Sequence, residues 1–73
     1  MRKTHEAYAK VASMFEMKEE FSKAIENYEQ ALNLLMGDKD CSNSKRKEYL
    51  TFLGVLSVKV GNYDAGIKFF EEI

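Results

Sequence analysis

Apolar residues recur along most of this chain at spacings of three, four and seven, the signature of helices with one buried face. From about Thr4 to Lys18 the stripe is Tyr8, Val11, Ala12 and Phe15; Thr4 can cap this segment, and Glu6 stands in its first turn, where a carboxylate favours the helix dipole. From about Phe21 to Met36 the stripe is Phe21, Ala24, Ile25, Tyr28, Leu32 and Leu35, and Gly37 follows directly, suited to the left-handed position after a helix end. Asp38 to Ser44 is polar and unpatterned, which predicts a loop. A third helix is predicted from near Ser44, as its cap, to about Val60. Its apolar set Tyr49, Leu50, Phe52, Leu53, Leu56 and Val60 is wide enough to touch neighbours on two sides. Gly61-Asn62 ends it, and a fourth helix starts near Tyr63 with Ile67 and Phe70 on one face and runs to Ile73. No stretch alternates apolar and polar residues as a half-buried strand would. Short turns between helices make antiparallel neighbours. The expectation is therefore an all-α chain of four helices, two helical hairpins in series.

The two hairpins repeat each other. Tyr8, Val11, Ala12 and Phe15 correspond to Leu50, Leu53, Gly54 and Ser57, and Phe21, Ala24, Tyr28 and Ala31 to Tyr63, Gly66, Phe70 and Ile73, each pair 42 residues apart. A small residue in each helix lets its antiparallel partner approach while large residues fill the grooves on either side. Ala12 with Ala24, and Gly54 with Gly66, are the expected points of closest approach. Glycine inside a helix costs about 1 kcal/mol relative to alanine, so Gly54 and Gly66 call for a packing reason.

This order of residues resembles the tetratricopeptide repeat. The resemblance covers about residues 5 to 73 and occurs twice, as repeat one at about 5–38 and repeat two at about 45–73, with the loop at 38–44 between them in a single domain spanning 1–73. The period exceeds the usual length of about 34 residues, with the extra residues around Lys39 to Arg46; this longer period is similar to kinesin-light-chain-type adaptor arrays. Ser57 stands where a large residue is usual, Ile73 where a small one is common, and no proline closes the first repeat. What the resemblance implies is an α-solenoid segment, a non-catalytic scaffold that binds a peptide or helix of a partner protein in a concave groove. It implies as groove positions Glu6, Ala9, Ser13, Glu16 and Met17 of the first helix, and Glu48, Thr51, Val55, Val58 and Lys59 of the third. A family variant grips the C-terminal carboxylate of chaperone peptides with Lys and Asn; here Ala9, Ser13 and Phe52 occupy matching positions and offer no charge-assisted bond, so no chaperone-tail receptor is expected.

Family arrays stack several hairpins and cap the last, so the second unit, shorter at its end than the first, predicts a piece of a longer array. Phe69, Phe70 and Ile73 are then uncovered. Full burial of one such side chain is worth about 1.5–3 kcal/mol, against a total of about 3–5 kcal/mol for so small a core. The alternative function is accordingly a self-associating assembly element, a homo-oligomer formed through the last helix.

Composition narrows the partners. With 73 residues, 45% hydrophobic and 32% charged, the chain suits one small globular domain. A net charge of −1 lacks the basic excess of a general nucleic-acid binder. No apolar run approaches the roughly 20 residues of a membrane span, and His5, Glu6 and Lys10 interrupt any leader that Met1-Arg2-Lys3 could begin. The lone Cys41 fits a reducing compartment, and the expectation is an intracellular, cytoplasmic chain with the nucleus left open. Lys45-Arg46-Lys47 is read as surface charge at a helix start. Asp38, Asp40, Ser42 and Ser44 mimic a calcium loop, but Asn43 replaces its glycine and Tyr49 its bidentate glutamate. His5 and Cys41 supply neither a converging catalytic set nor a metal cluster, and no glycine-rich phosphate loop is present. No enzyme activity, cofactor or metal is expected.

Overall fold

A computed structural model describes residues 4–37 and 43–73. They form four α-helices and no strand: α1 His5–Met17, α2 Phe21–Met36, α3 Asn43–Lys59 and α4 Tyr63–Glu71. Each helix packs on the next in chain order, giving a flat body of 33 × 27 × 14 Å. Residues 38–42, including Cys41 and most of the expected loop, and residues 1–3 lie outside the described set.

α1 and α4 start where a side chain supplies a cap. Thr4 Oγ1 accepts the Ala7 amide at 3.2 Å, and Asn62 Oδ1 accepts the Ala65 amide at 3.3 Å, each satisfying one of the orphan donors of a first turn. Ser44, expected as the cap of α3, instead lies inside it, because the helix already runs from Asn43. α3 is thus 17 residues long against 13 for its repeat partner α1, and one added turn takes up part of the longer period.

The two hairpin turns are copies of each other. After α1 the Glu19 amide donates to Glu16 O and the Glu20 amide to Phe15 O, both at 2.9 Å; after α3 the Gly61 amide donates to Val58 O at 3.0 Å and the Asn62 amide to Ser57 O at 2.8 Å. Both are the paired bonds that close a helix through a left-handed residue. That residue is Gly61 at φ 85° in one turn and Glu19 at φ 63° in the other, 42 positions apart. Gly37, expected in this conformation, adopts a right-handed φ of −81°. Glu20 follows the first turn with its carboxylate 3.2 Å from Lys18 Nζ and 3.5 Å from Lys23 Nζ. The bond to Lys18 does most to hold this carboxyl below its ordinary value.

The core runs through both hairpins: Ala12, Ala24, Tyr28, Ala31, Leu32, Leu35, Tyr49, Leu50, Leu53 and Leu56 are buried. Ala12 and Ala24, the small residues of the first hairpin, are sealed completely. In the second hairpin a methyl group built on Gly66 would stand 3.2 Å from Gly54 O and 3.0 Å from Val58 Cγ2, and one on Gly54 would overlap the Phe70 ring at 2.7 Å. This is the packing reason the two glycines called for. α3, the third helix in order, buries residues toward both α2 and α4 (Tyr49, Leu50, Leu53, Leu56 and Ser57), as its wide apolar set predicts.

Candidate functional site: an aromatic-floored groove

Tyr28 of α2 organises the junction between the hairpins. Its ring stacks on Phe52 with centroids 5.1 Å apart and 26° between planes, and lies tilted against Tyr49 at 6.3 Å. Such pairs add about 0.5–1.5 kcal/mol beyond their buried area. Farther along the same junction, Lys59 Nζ sits 5.2 Å over the Phe21 ring. Early α3 therefore meets the middle of α2 and late α3 meets its start, so the two helices run antiparallel. α1 and α3 then run parallel, and a hydrogen bond of 2.8 Å between His5 Nδ1 and the Tyr49 hydroxyl ties them at their N-terminal ends.

Between these elements lies a groove of about 230 Å³. Glu6, Ala9 and Lys10 form its α1 wall, Lys45, Glu48, Tyr49 and Phe52 its α3 wall, and Tyr28 closes it from behind. The floor is aromatic. The rim carries one acid and one base on each side, and Lys45 Nζ and Glu48 are 3.5 Å apart on the α3 side. Withdrawal from water, with the nearby Glu16 and Glu48 charges added, pushes the Tyr28 hydroxyl above the ordinary tyrosine value. Burial likewise raises Tyr49, helped by Glu48 and Glu6. Both hydroxyls are therefore neutral and able to donate over the whole physiological range.

Of the positions expected to face a partner, Glu6, Ala9 and Glu48 line this groove. Glu16 is half-buried and acts on Tyr28 through its charge. Ser13, Met17, Thr51 and Val55 are exposed outside the groove, and the Thr51 hydroxyl donates to Lys47 O of its own helix at 2.8 Å. Val58 leans on Gly66 of α4, and Lys59 covers Phe21 of α2. In the sequence Tyr28 and Tyr49 read only as packing positions, Phe52 as a packing position that also matches a ligand-gripping place of the family variant, and Lys10, Lys45 and His5 carry no groove role. A tyrosine on a core stripe is the signal that could have found the floor, because its hydroxyl needs a polar partner or an opening. In the basic run, Arg46 donates to Glu72 O at 3.4 Å and so ties α3 to the end of α4.

Among the described residues no three His, Cys, Asp or Glu side chains gather as a metal site, and no helix is long and apolar enough to cross a membrane. No family model, curated protein or solved structure matches this chain.

Proposed function

We propose that this chain is a non-catalytic protein-interaction module of tetratricopeptide-repeat type that binds an extended peptide or helix of a partner protein in the groove between α1 and α3. The observation that carries the reading is the groove itself. Between parallel helices it presents the partly exposed Phe52 over a floor completed by the buried Tyr28 and Tyr49, and concave apolar sites with few convergent polar groups are where ligands bind. The repeat places the same helix of each hairpin along this face, as the resemblance implies. The floor suits an apolar anchor, the Tyr28 hydroxyl a backbone carbonyl, and the mixed rim a segment carrying both charges.

Selection from a random-sequence peptide display library tests the reading. Peptides enriched on the wild-type chain are expected to shift the NMR signals of Tyr28, Tyr49 and Phe52 and to lose at least tenfold in affinity against Ala9→Arg, which fills the groove from the α1 wall. Enriched peptides that bind Ala9→Arg as well as wild type would overturn it, as would failure to enrich any peptide.

A further inference from the structure

The repeat makes a specific statement about the outer face of α4. Residues Phe21, Ile25 and Tyr28 of α2 correspond, 42 positions on, to Tyr63, Ile67 and Phe70 of α4. On α2 this stripe is covered by α3: Tyr28 is 3% exposed against Tyr49 and Phe52, and Phe21 lies under Lys59. On α4 the same stripe is bare, with Tyr63 63%, Ile67 56% and Phe70 42% exposed. Phe69, grouped with Phe70 and Ile73 in the sequence reading, packs against the core instead.

The complementary surface exists on the same molecule. The α3 stripe that covers α2 is Tyr49, Phe52, Leu56 and Lys59; its counterpart on α1 is Ala7, Lys10, Met14 and Met17. Met14 is 64% and Met17 82% exposed. Beside them Ala7, Tyr8, Val11 and Asn27 line an open, largely apolar cavity of about 140 Å³. Those four residues are the counterparts of Tyr49, Leu50, Leu53 and Phe69, which in the second hairpin belong to the core or pack against it. On the second hairpin the corresponding place, with Tyr49 and Phe69 standing for Ala7 and Asn27, belongs to the core of a helix pair that packs on α2 through α3; on the first hairpin it is open.

We infer that α4 of one copy docks on α1 of a second copy, repeating between molecules the α2–α3 junction that the chain already builds within itself. In that register Phe70 reaches the Ala7 cavity beside Lys10, a cation–aromatic pair. Ile67 meets Met14, and Tyr63 meets Met17, whose thioether suits an aromatic neighbour. The contact is heterologous: each copy keeps one free α1 and one free α4, so association continues into an open ladder rather than stopping at a closed dimer. α4 is 9 residues long against 16 for α2, so the contact is smaller than the internal junction and correspondingly weak. It borders the groove at Lys10, which also stands in the groove's α1 wall, but neither proposal depends on the other.

The test uses two exposed substitutions, Ile67→Glu on the α4 face and Met14→Glu on the α1 face, with mass followed by sedimentation equilibrium from about 10 µM to about 1 mM, the range of weak contacts. The wild-type mass is expected to rise steadily past that of a dimer, and each variant alone to stay at the 8.4 kDa monomer. An equal mixture of the two is expected to form a 1:1 dimer and nothing larger, since only one sound α4 and one sound α1 remain to meet. A wild-type monomer at every concentration would overturn the inference, as would a mixture that stays monomeric. A Met14→Glu chain that still associates while Ile67→Glu does not would also overturn it, by showing α4 pairing with itself. Far-UV circular dichroism checks that both variants keep wild-type helicity. If either does not, Tyr63→Lys and Met17→Lys, still more exposed, replace them in the same scheme with the same outcomes.

Discussion

The two hairpins share a pattern but not a situation. The first closes its helices over alanines, Ala12 and Ala24, and has the outer face of α2 buried under α3; the second closes over glycines, Gly54 and Gly66, and presents the outer face of α4 to water. Tyr28 and Phe70 hold the same place in the repeat, yet one is the centre of a three-ring cluster and the other lays one side of its ring over Gly54 and leaves the rest exposed. Equivalent sequence thus produces equivalent helices and turns, because these are set locally by caps, periodicity and small-residue contacts. Burial is set by what lies next door. In a repeat architecture the stability of each unit is largely the interface it makes with its neighbour.

Truncating the equivalent pair should break that equivalence most visibly. Tyr28→Ala removes a fully packed ring and is expected to cost about 3–5 kcal/mol, whereas Phe70→Ala, with much of its ring already in water, is expected to cost about 1–2 kcal/mol. For a core worth about 3–5 kcal/mol in total, the first variant should be mostly unfolded at room temperature and the second folded. Urea titration followed by far-UV circular dichroism, at a concentration where the wild type is monomeric, measures both. Equal losses would mean that the face of α4 is as well covered as that of α2, and the contrast between the hairpins would fall.

The helices were legible in the sequence because each carries its own periodicity and punctuation. α2 falls on the expected Phe21–Met36, and α1 and α3 lie within a residue or so of their expected limits. α3 starts one residue before its expected cap, because Asn43 and Ser44 are cap formers by habit and helix residues here. The groove was only half legible. Glu6, Ala9 and Glu48 are among the positions that the family resemblance implies, but Tyr28, Tyr49 and Phe52 belong to apolar stripes that serve as core on one side and floor on the other. Spacing identifies a stripe; it does not say which edge of a ring the neighbouring helix leaves uncovered. The His5–Tyr49 bond joins residues 44 apart, and no local pattern announces it.

The turns sharpen the comparison at a smaller scale. Glu19 holds a positive φ that costs a residue with a side chain about 1–2 kcal/mol and a glycine very little, while Gly61 already meets the same demand. Glu19→Gly is expected to stabilise the chain by up to about 1 kcal/mol, less than the conformational cost because glycine also loses more freedom on folding. Gly61→Glu should destabilise it by a similar amount. Nothing lies within 4 Å of the side-chain position at Gly61, so the change there acts through the backbone alone. Thermal or urea midpoints of the two variants should therefore move in opposite directions. A shift of the same sign in both would show that the turns, alike in their hydrogen bonds, are not alike in energy.

The smallest effect near neutral pH, and the most specific to the junction, is alkaline titration. Tyr28 and Tyr49 meet where the hairpins join, and burial raises both above the ordinary value of 10.0, whereas the corresponding place in α4 is Phe70, which has no proton to lose. Raised folded values mean that between the unfolded and folded pKa the native chain binds more protons than the unfolded one, so stability falls as pH rises through that window. The contribution is complete below the unfolded value near 10 and is lost progressively above it. Urea midpoints are expected to be flat on this account up to about pH 10 and to decline beyond it. Tyr28→Phe should make the decline shallower while leaving the ring stack on Phe52 in place, because it removes one titrating hydroxyl and keeps the apolar ring. An unchanged slope in Tyr28→Phe would assign the alkaline loss to groups away from the junction. A flattened one would tie the cohesion of the two hairpins to the neutral hydroxyls on the groove floor.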